Sequence, residues 1–121
     1  MSATLYERLG GTEGITKIAN DVVDIHFANP AIATRYINAK SDIAAIKKGA
    51  ATFFIAGTGG PDVYKGKDML TTHRGMNISE SEFVTVLDDV LKALNRNNIG
   101  QREQEEVLFV LYSMKKEIVA V

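Results

Sequence analysis

The chain contains no cysteine among its 121 residues. A disulfide framework, a thiolate nucleophile, a Cys-based zinc site and an iron–sulfur cluster are therefore excluded, and a reducing compartment is the natural setting. There is little excess charge of either sign. Fourteen Lys plus Arg against fifteen Asp plus Glu leave a net charge of −1, so nothing steers the protein toward nucleic acid or an anionic membrane. Long apolar runs are missing too. The longest, "VLFVLY" at 107–112, is far too short to span a bilayer, and the opening "MSATLYERLGG" lacks the basic-then-apolar pattern of a secretory signal. The expectation is one cytoplasmic domain, residues 1–121, long enough to bury roughly two-thirds of its unfolded surface without cross-links.

Strand signals are nearly absent, whereas helical periodicity recurs in four segments separated by glycine, proline or asparagine clusters, so the class is all-α. After Gly10-Gly11, Thr12 can cap a helix in which Ile15, Ile18, Ala19, Val22, Val23 and His26 or Phe27 recur at helical spacing until Asn29-Pro30 stops it. Ser41 and Asp42 open a second helix with Ile43, Ile46, Ala50, Phe53, Phe54 and Gly57 on one stripe. "GTGGP" then ends it, and the glycine-rich stretch 57–72 leaves room for a single short turn before His73. Ser79 with Glu82 forms a capping box for a third helix through Phe83, Val86, Leu87, Val90, Leu91 and Leu94. Past "NRNNIG", a last long helix carries Val107, Leu108, Leu111, Met114 and Ile118 on its buried face.

Few residues carry evident chemistry. The glycine pairs match no phosphate-binding pattern and follow no strand, so they read as turns. Glu103, Glu105 and Glu106 lie opposite the apolar stripe of the last helix and read as a solvated face. Asp88 and Asp89, being adjacent, diverge around their helix instead of pairing. Two histidines remain. His26 sits on a long amphipathic helix, where a partly buried structural role suffices. His73 ends a segment too short to be a stability element, among Met69, Leu70, Met76 and Ile78. Adaptable methionines suit a large flat apolar partner, and a proximal histidine is one of the few ways a protein holds haem iron.

With those residues in view, the sequence resembles a group I truncated haemoglobin, a two-over-two helical globin. The resemblance runs over nearly the whole chain, through "LYERLGG", the Phe53-Phe54 pair, "GGPDVYKGKDM" at 59–69, "HRGMNI" from 73, and Phe83. It implies a two-over-two helical sandwich with a long glycine-containing loop before the proximal histidine, and haem b between the helix at 42–57 and the last two helices. His73 matches the iron ligand. Tyr36, Phe53, Phe54, Tyr64, Met69, Met76, Ile78, Phe83, Val86 and Leu111 fall where the family contacts the porphyrin, and Lys65, Lys67 or Arg74 can pair with a propionate or serve as plain surface charges.

The distal side departs from the family pattern. Where such proteins place a tyrosine and a glutamine to hydrogen-bond oxygen, this chain has Val23 and, on the next helix, Ile46 and Ala50. None can donate. Tyr36 matches the usual distal phenylalanine, with an apparent two-residue insertion before Ser41, and its hydroxyl is a candidate replacement donor. A sixth, internal iron ligand near Gly49 would have to come from Lys47 or Lys48. Ala19, Gly49 and Ala50 are small enough to leave gas a path inward.

The expected function is reversible binding of O2, CO or NO, as an oxygen carrier, store or sensor, by a monomer or weak dimer. A distal donor is worth about 1–3 kcal/mol to bound oxygen, so its loss predicts oxygen escape roughly ten- to a hundredfold faster, with CO relatively favoured. The alternative is NO dioxygenase activity, which needs an external reductase because this sequence shows no flavin or nicotinamide motif. A cofactor-free helical bundle with an ordinary histidine also remains open.

Overall fold

The computed structural model describes residues 3–37, 42–66 and 68–121, apart from the side chains of Tyr36 and Ile37. Among the described residues eight helices form, in order α1 (Leu5–Arg8), α2 (Gly11–Ala28), α3 (Ala33–Ile37), α4 (Ile43–Gly57), α5 (Met69–His73), α6 (Glu80–Arg96), α7 (Gln101–Tyr112) and α8 (Lys115–Ile118). Among the described residues there is no strand, only an isolated parallel bridge between Ile78 and Val119. The helices α2 and α4 pack as one pair, α6 and α7 as another, and α2 also packs on α6, so the architecture is the two-over-two sandwich expected from the sequence.

The core follows from helical spacing. Ile15, Ile18 and Val22 of α2 meet Ile55 of α4, Val90, Ala93 and Leu94 of α6 and Val107 of α7. Several caps are those expected. Asp42 accepts from the amide of Ala45 at the start of α4, and Ser79 and Glu82 complete a reciprocal box on α6. Ser41, the other residue expected to open α4, lies outside the described residues.

Three expectations are corrected. Thr12 does not cap α2, which begins at Gly11 with Gly10 in the left-handed region at φ 100°. Instead the Tyr6 hydroxyl accepts the amide of Thr12 at 3.1 Å and bonds the Thr12 hydroxyl at 2.7 Å. The stripe on α4 is rotated: Ala51 and Ile55 are its buried residues, Ile43 and Gly57 are exposed, and Ile46, Ala50 and Phe53 stand half-buried on the adjoining face. The last helix is two helices, broken at Ser113–Met114, because the chain must turn to bring Val119–Val121 alongside the segment after His73.

Turn glycines are held by close approach. A Cβ on Gly60 would lie 2.4 Å from the Tyr6 ring and 2.9 Å from the Ile55 carbonyl, so only glycine lets the loop after α4 fold against α1.

Candidate functional site

Asp68 starts α5 by accepting the amide of Thr71 at 2.7 Å, and the helix ends five residues later at His73, so the whole element serves to deliver one side chain. His73 is half-buried, with Nδ1 2.8 Å from the carbonyl oxygen of Met69 one turn earlier. A carbonyl can only accept, so Nδ1 carries the proton and Nε2 of the neutral ring keeps its lone pair. An imidazole fixed in this way through its other nitrogen is the arrangement that orients a metal-ligating histidine. The donor chemistry therefore fits a haem iron.

The apolar residues expected at the porphyrin are mostly half-buried, and Phe54 and Leu111 among them pack against the core. Met69, Met76, Val86 and Leu111 are half-buried, while Ile78 and Phe83 are buried. Phe53 stands edge-on to Phe54, with ring centres 5.8 Å apart, and edge-on to Tyr64 at 5.5 Å. Burial, and to a smaller degree Asp68, pushes the Tyr64 hydroxyl above its ordinary pKa. A Cβ on Gly66 would fall 2.4 Å from that hydroxyl, so the glycine-rich loop is shaped to lie against the Tyr64 ring. Phe83 in turn meets Tyr112 of α7 at 6.3 Å between ring centres, a neighbour that the sequence did not single out.

Of the residues expected on the distal side, Val23 is buried at 2% exposure and Ile46 and Ala50 are half-buried. All three are hydrocarbon. The side chain of Tyr36 and all of Lys67 lie outside the described residues, although the Tyr36 backbone belongs to α3. Lys65 and Arg74 are exposed. The Lys47 ammonium lies 2.9 Å from Asp24 of α2, and Lys47 and Lys48 both line a cleft between α2 and α4 together with Thr16 and Thr52. A Cβ on Gly49 would meet nothing within 4 Å, whereas Ala19 is fully buried in the core.

His26 and Asp89 are the main surprise. Asp89 has no exposed surface, yet its carboxylate accepts from His26 Nδ1 at 2.8 Å and from the Asn29 amide at 3.1 and 3.2 Å. Burial holds the His26 imidazole below its ordinary pKa, against the opposing pull of Asp89. The structural role expected for His26 holds, and Asp88 and Asp89 do diverge around α6, but the buried partner was missed. Its signal was positional: Asp89 falls among Val86, Val90 and Ala93 on the apolar stripe. The acidic face of α7 is likewise not wholly solvated, since Glu103 and Glu106 pair with Arg8 of α1.

The chain matches the family described as bacterial-like globin over residues 4–120. The group 1 truncated haemoglobin of Tetrahymena pyriformis is 26% identical over 115 residues, covering 95% of this chain and 93% of that protein. The crystal structure of the same organism's truncated haemoglobin in its Fe(III) form superposes with a TM-score of 0.93 at 24% identity, covering 98% of this chain and all of that one. A 2/2 haemoglobin from Synechococcus sp. PCC 7002, with covalently attached haem, gives a TM-score of 0.85 at 22% identity over 95% of each chain. Family match and fold together define a truncated globin, in the class of haem-binding proteins. The chain belongs to the bacterial-like globin family.

Proposed function

We propose that this globin holds haem b through His73 and binds diatomic gases reversibly in a pocket without strong hydrogen-bond donors. The observation that carries the reading is the His73 Nδ1 to Met69 carbonyl bond, which leaves Nε2 free to ligate. When bound, the haem supplies a ferrous iron that takes O2, CO or NO. The chain's own part is to orient the imidazole, enclose the ring between Phe53, Phe54 and Tyr64 on one edge and Met76, Ile78, Phe83, Val86 and Leu111 on another, and exclude water. Attachment is non-covalent in this reading. Covalent capture of a vinyl group needs a nucleophile such as a thiol or imidazole, and this chain has no cysteine and two histidines, of which His26 is engaged with Asp89.

Val23, Ile46 and Ala50 offer no proton to a gas ligand. A missing charge-assisted bond of about 1–3 kcal/mol corresponds to oxygen release roughly ten- to a hundredfold faster, with CO less affected. Tyr36 is the remaining candidate donor. A single unit of this kind, working as a monomer or weak dimer in the cytoplasm, suits storage, transport or sensing of a gas. The test is the oxygen dissociation rate of the ferrous protein beside Tyr36→Phe, together with steady-state NO consumption in the presence of a reductase. Fast release and negligible turnover of NO fit the binder; sustained nitrate formation would make the protein an NO dioxygenase served by an external reductase.

A further inference from the structure

We propose that Arg35 is a positioning residue for His73, tying α3 to the loop behind the histidine and so setting how its imidazole stands. The proposal rests on the reading of His73 as the axial ligand.

The loop from Arg74 to Ser79 has little helical support of its own. Gly75 and Asn77 both adopt the left-handed region, at φ 88° and 48°, the turn conformation that glycine and asparagine take most readily, so the loop's course depends on what it bonds to. Two structures hold it. On one side the tail segment pairs with it: the amides of Gly75 and Asn77 donate to the Val121 carbonyl at 3.2 and 3.0 Å, and the Ala120 amide donates to the Ile78 carbonyl at 2.9 Å.

On the other side stands Arg35. Its Nη1 donates to the Met76 carbonyl at 3.0 Å, while the Met76 amide donates to the carbonyl of His73 at 3.0 Å, so a single residue, Met76, links the guanidinium to the histidine's own backbone. The rest of the guanidinium fork grips Glu82, Nε at 2.5 Å from one carboxylate oxygen and Nη2 at 3.0 Å from the other. Glu82 is itself fixed by the capping box, accepting the Ser79 amide at 3.1 Å. Arg35 thus joins three elements: α3, the loop after His73 and the start of α6, which carries Phe83. A planar fork with five donors can serve both acceptors at once, and a lysine ammonium cannot keep that geometry. Because Tyr36 follows Arg35 on α3, the clamp also couples the helix carrying the candidate distal donor to the proximal histidine.

The test compares wild type with Arg35→Met, Arg35→Lys and Glu82→Gln in two states. In the haem-free protein, amide exchange at Gly75 and Asn77 is expected to quicken on the order of tenfold in Arg35→Met. Amides inside α2 and α7 should keep their wild-type rates, Arg35→Lys should recover only part of the protection, and Glu82→Gln should lose part of it. In hemin-loaded, reduced protein, the iron–histidine stretching band of Arg35→Met should shift or broaden, and hemin transfer to an acceptor globin should quicken on the order of tenfold. Wild-type exchange at Gly75 and Asn77 in Arg35→Met, or quickening shared equally by α2 and α7, would overturn the positioning role. Should Arg35→Met not fold, Arg35→Lys and Glu82→Gln carry the same comparison. A wild-type protein that takes up no hemin overturns the ligand reading instead, and the exchange result still decides whether Arg35 holds the loop.

Discussion

Removing the Asp89 carboxylate is expected to destabilise the protein by about 3 kcal/mol, near the lower end of what breaking a buried pair costs. The side chain has no exposed surface, so water cannot replace it. In Asp89→Ala the buried His26 Nδ1 loses its bond to a carboxylate at 2.8 Å, a loss of roughly 2–3 kcal/mol, and the half-buried Asn29 amide loses roughly 1 kcal/mol more. A partial offset comes from no longer burying an ion. Unfolding entropy of about 2.1 cal/mol/K per residue gives roughly 0.25 kcal/mol/K for 121 residues, so about 3 kcal/mol lowers Tm by about 12 °C. Asp89→Asn keeps the volume and one acceptor oxygen and should lose only about 1 kcal/mol. The assay is urea unfolding of the haem-free protein followed by far-UV circular dichroism. An Asp89→Ala protein within about 1 kcal/mol of wild type would refute the reasoning, because it would mean that the pair between α2 and α6 holds nothing together.

Two glycine replacements should act with opposite signs. Gly60→Ala forces a Cβ to within 2.4 Å of the Tyr6 ring and should cost about 1–3 kcal/mol, whereas Gly49→Ala, mid-helix with nothing within 4 Å, should add about 0.5–1 kcal/mol; urea midpoints read both. Stability should also fall in two stages on acidification. The folded state lowers the His26 pKa below 6.5, so the unfolded chain takes up that proton first and stability declines as pH drops from about 6.5 toward the folded value. The Arg35 guanidinium and the Ser79 amide hold Glu82 at about 2 against 4.5, so a second decline spans pH 4.5 to 2. Urea titrations across pH should show both stages, and His26→Gln should lack the first. For the gas ligand, Ile46→Gln places a donor on the half-buried face of α4 and should slow oxygen release roughly tenfold by stopped flow, with CO release nearly unchanged.

Three capping residues and one turn were legible locally. Asp42, Ser79 and Glu82 cap helices through contacts three residues away, and the turn ending at His73 follows from the glycines before it. The misreadings arise where contacts from outside the helix itself decide. Tyr6 displaces Thr12 as the partner at the start of α2, and the break between α7 and α8 contains neither glycine nor proline, only the demand that the tail reach residues 75–78. On α4 the periodicity gave the right helix but the wrong buried face, since two apolar faces exist and one meets the core while the other, with Ile46, Ala50 and Phe53, is the face assigned to the cofactor. Arg35 with Glu82 and His26 with Asp89 are separated by 47 and 63 residues, and no local pattern announces either pair.

The central claim is that His73 Nε2 ligates haem iron, and the most direct measurement is the visible spectrum of wild type and His73→Gly titrated with hemin, with and without imidazole. The account predicts one hemin per chain with a five-coordinate histidine spectrum on reduction, loss of that signature in His73→Gly, and its return when imidazole fills the space. A His73→Gly protein whose reduced spectrum matches wild type without imidazole, or a wild type that takes up no hemin, would contradict it.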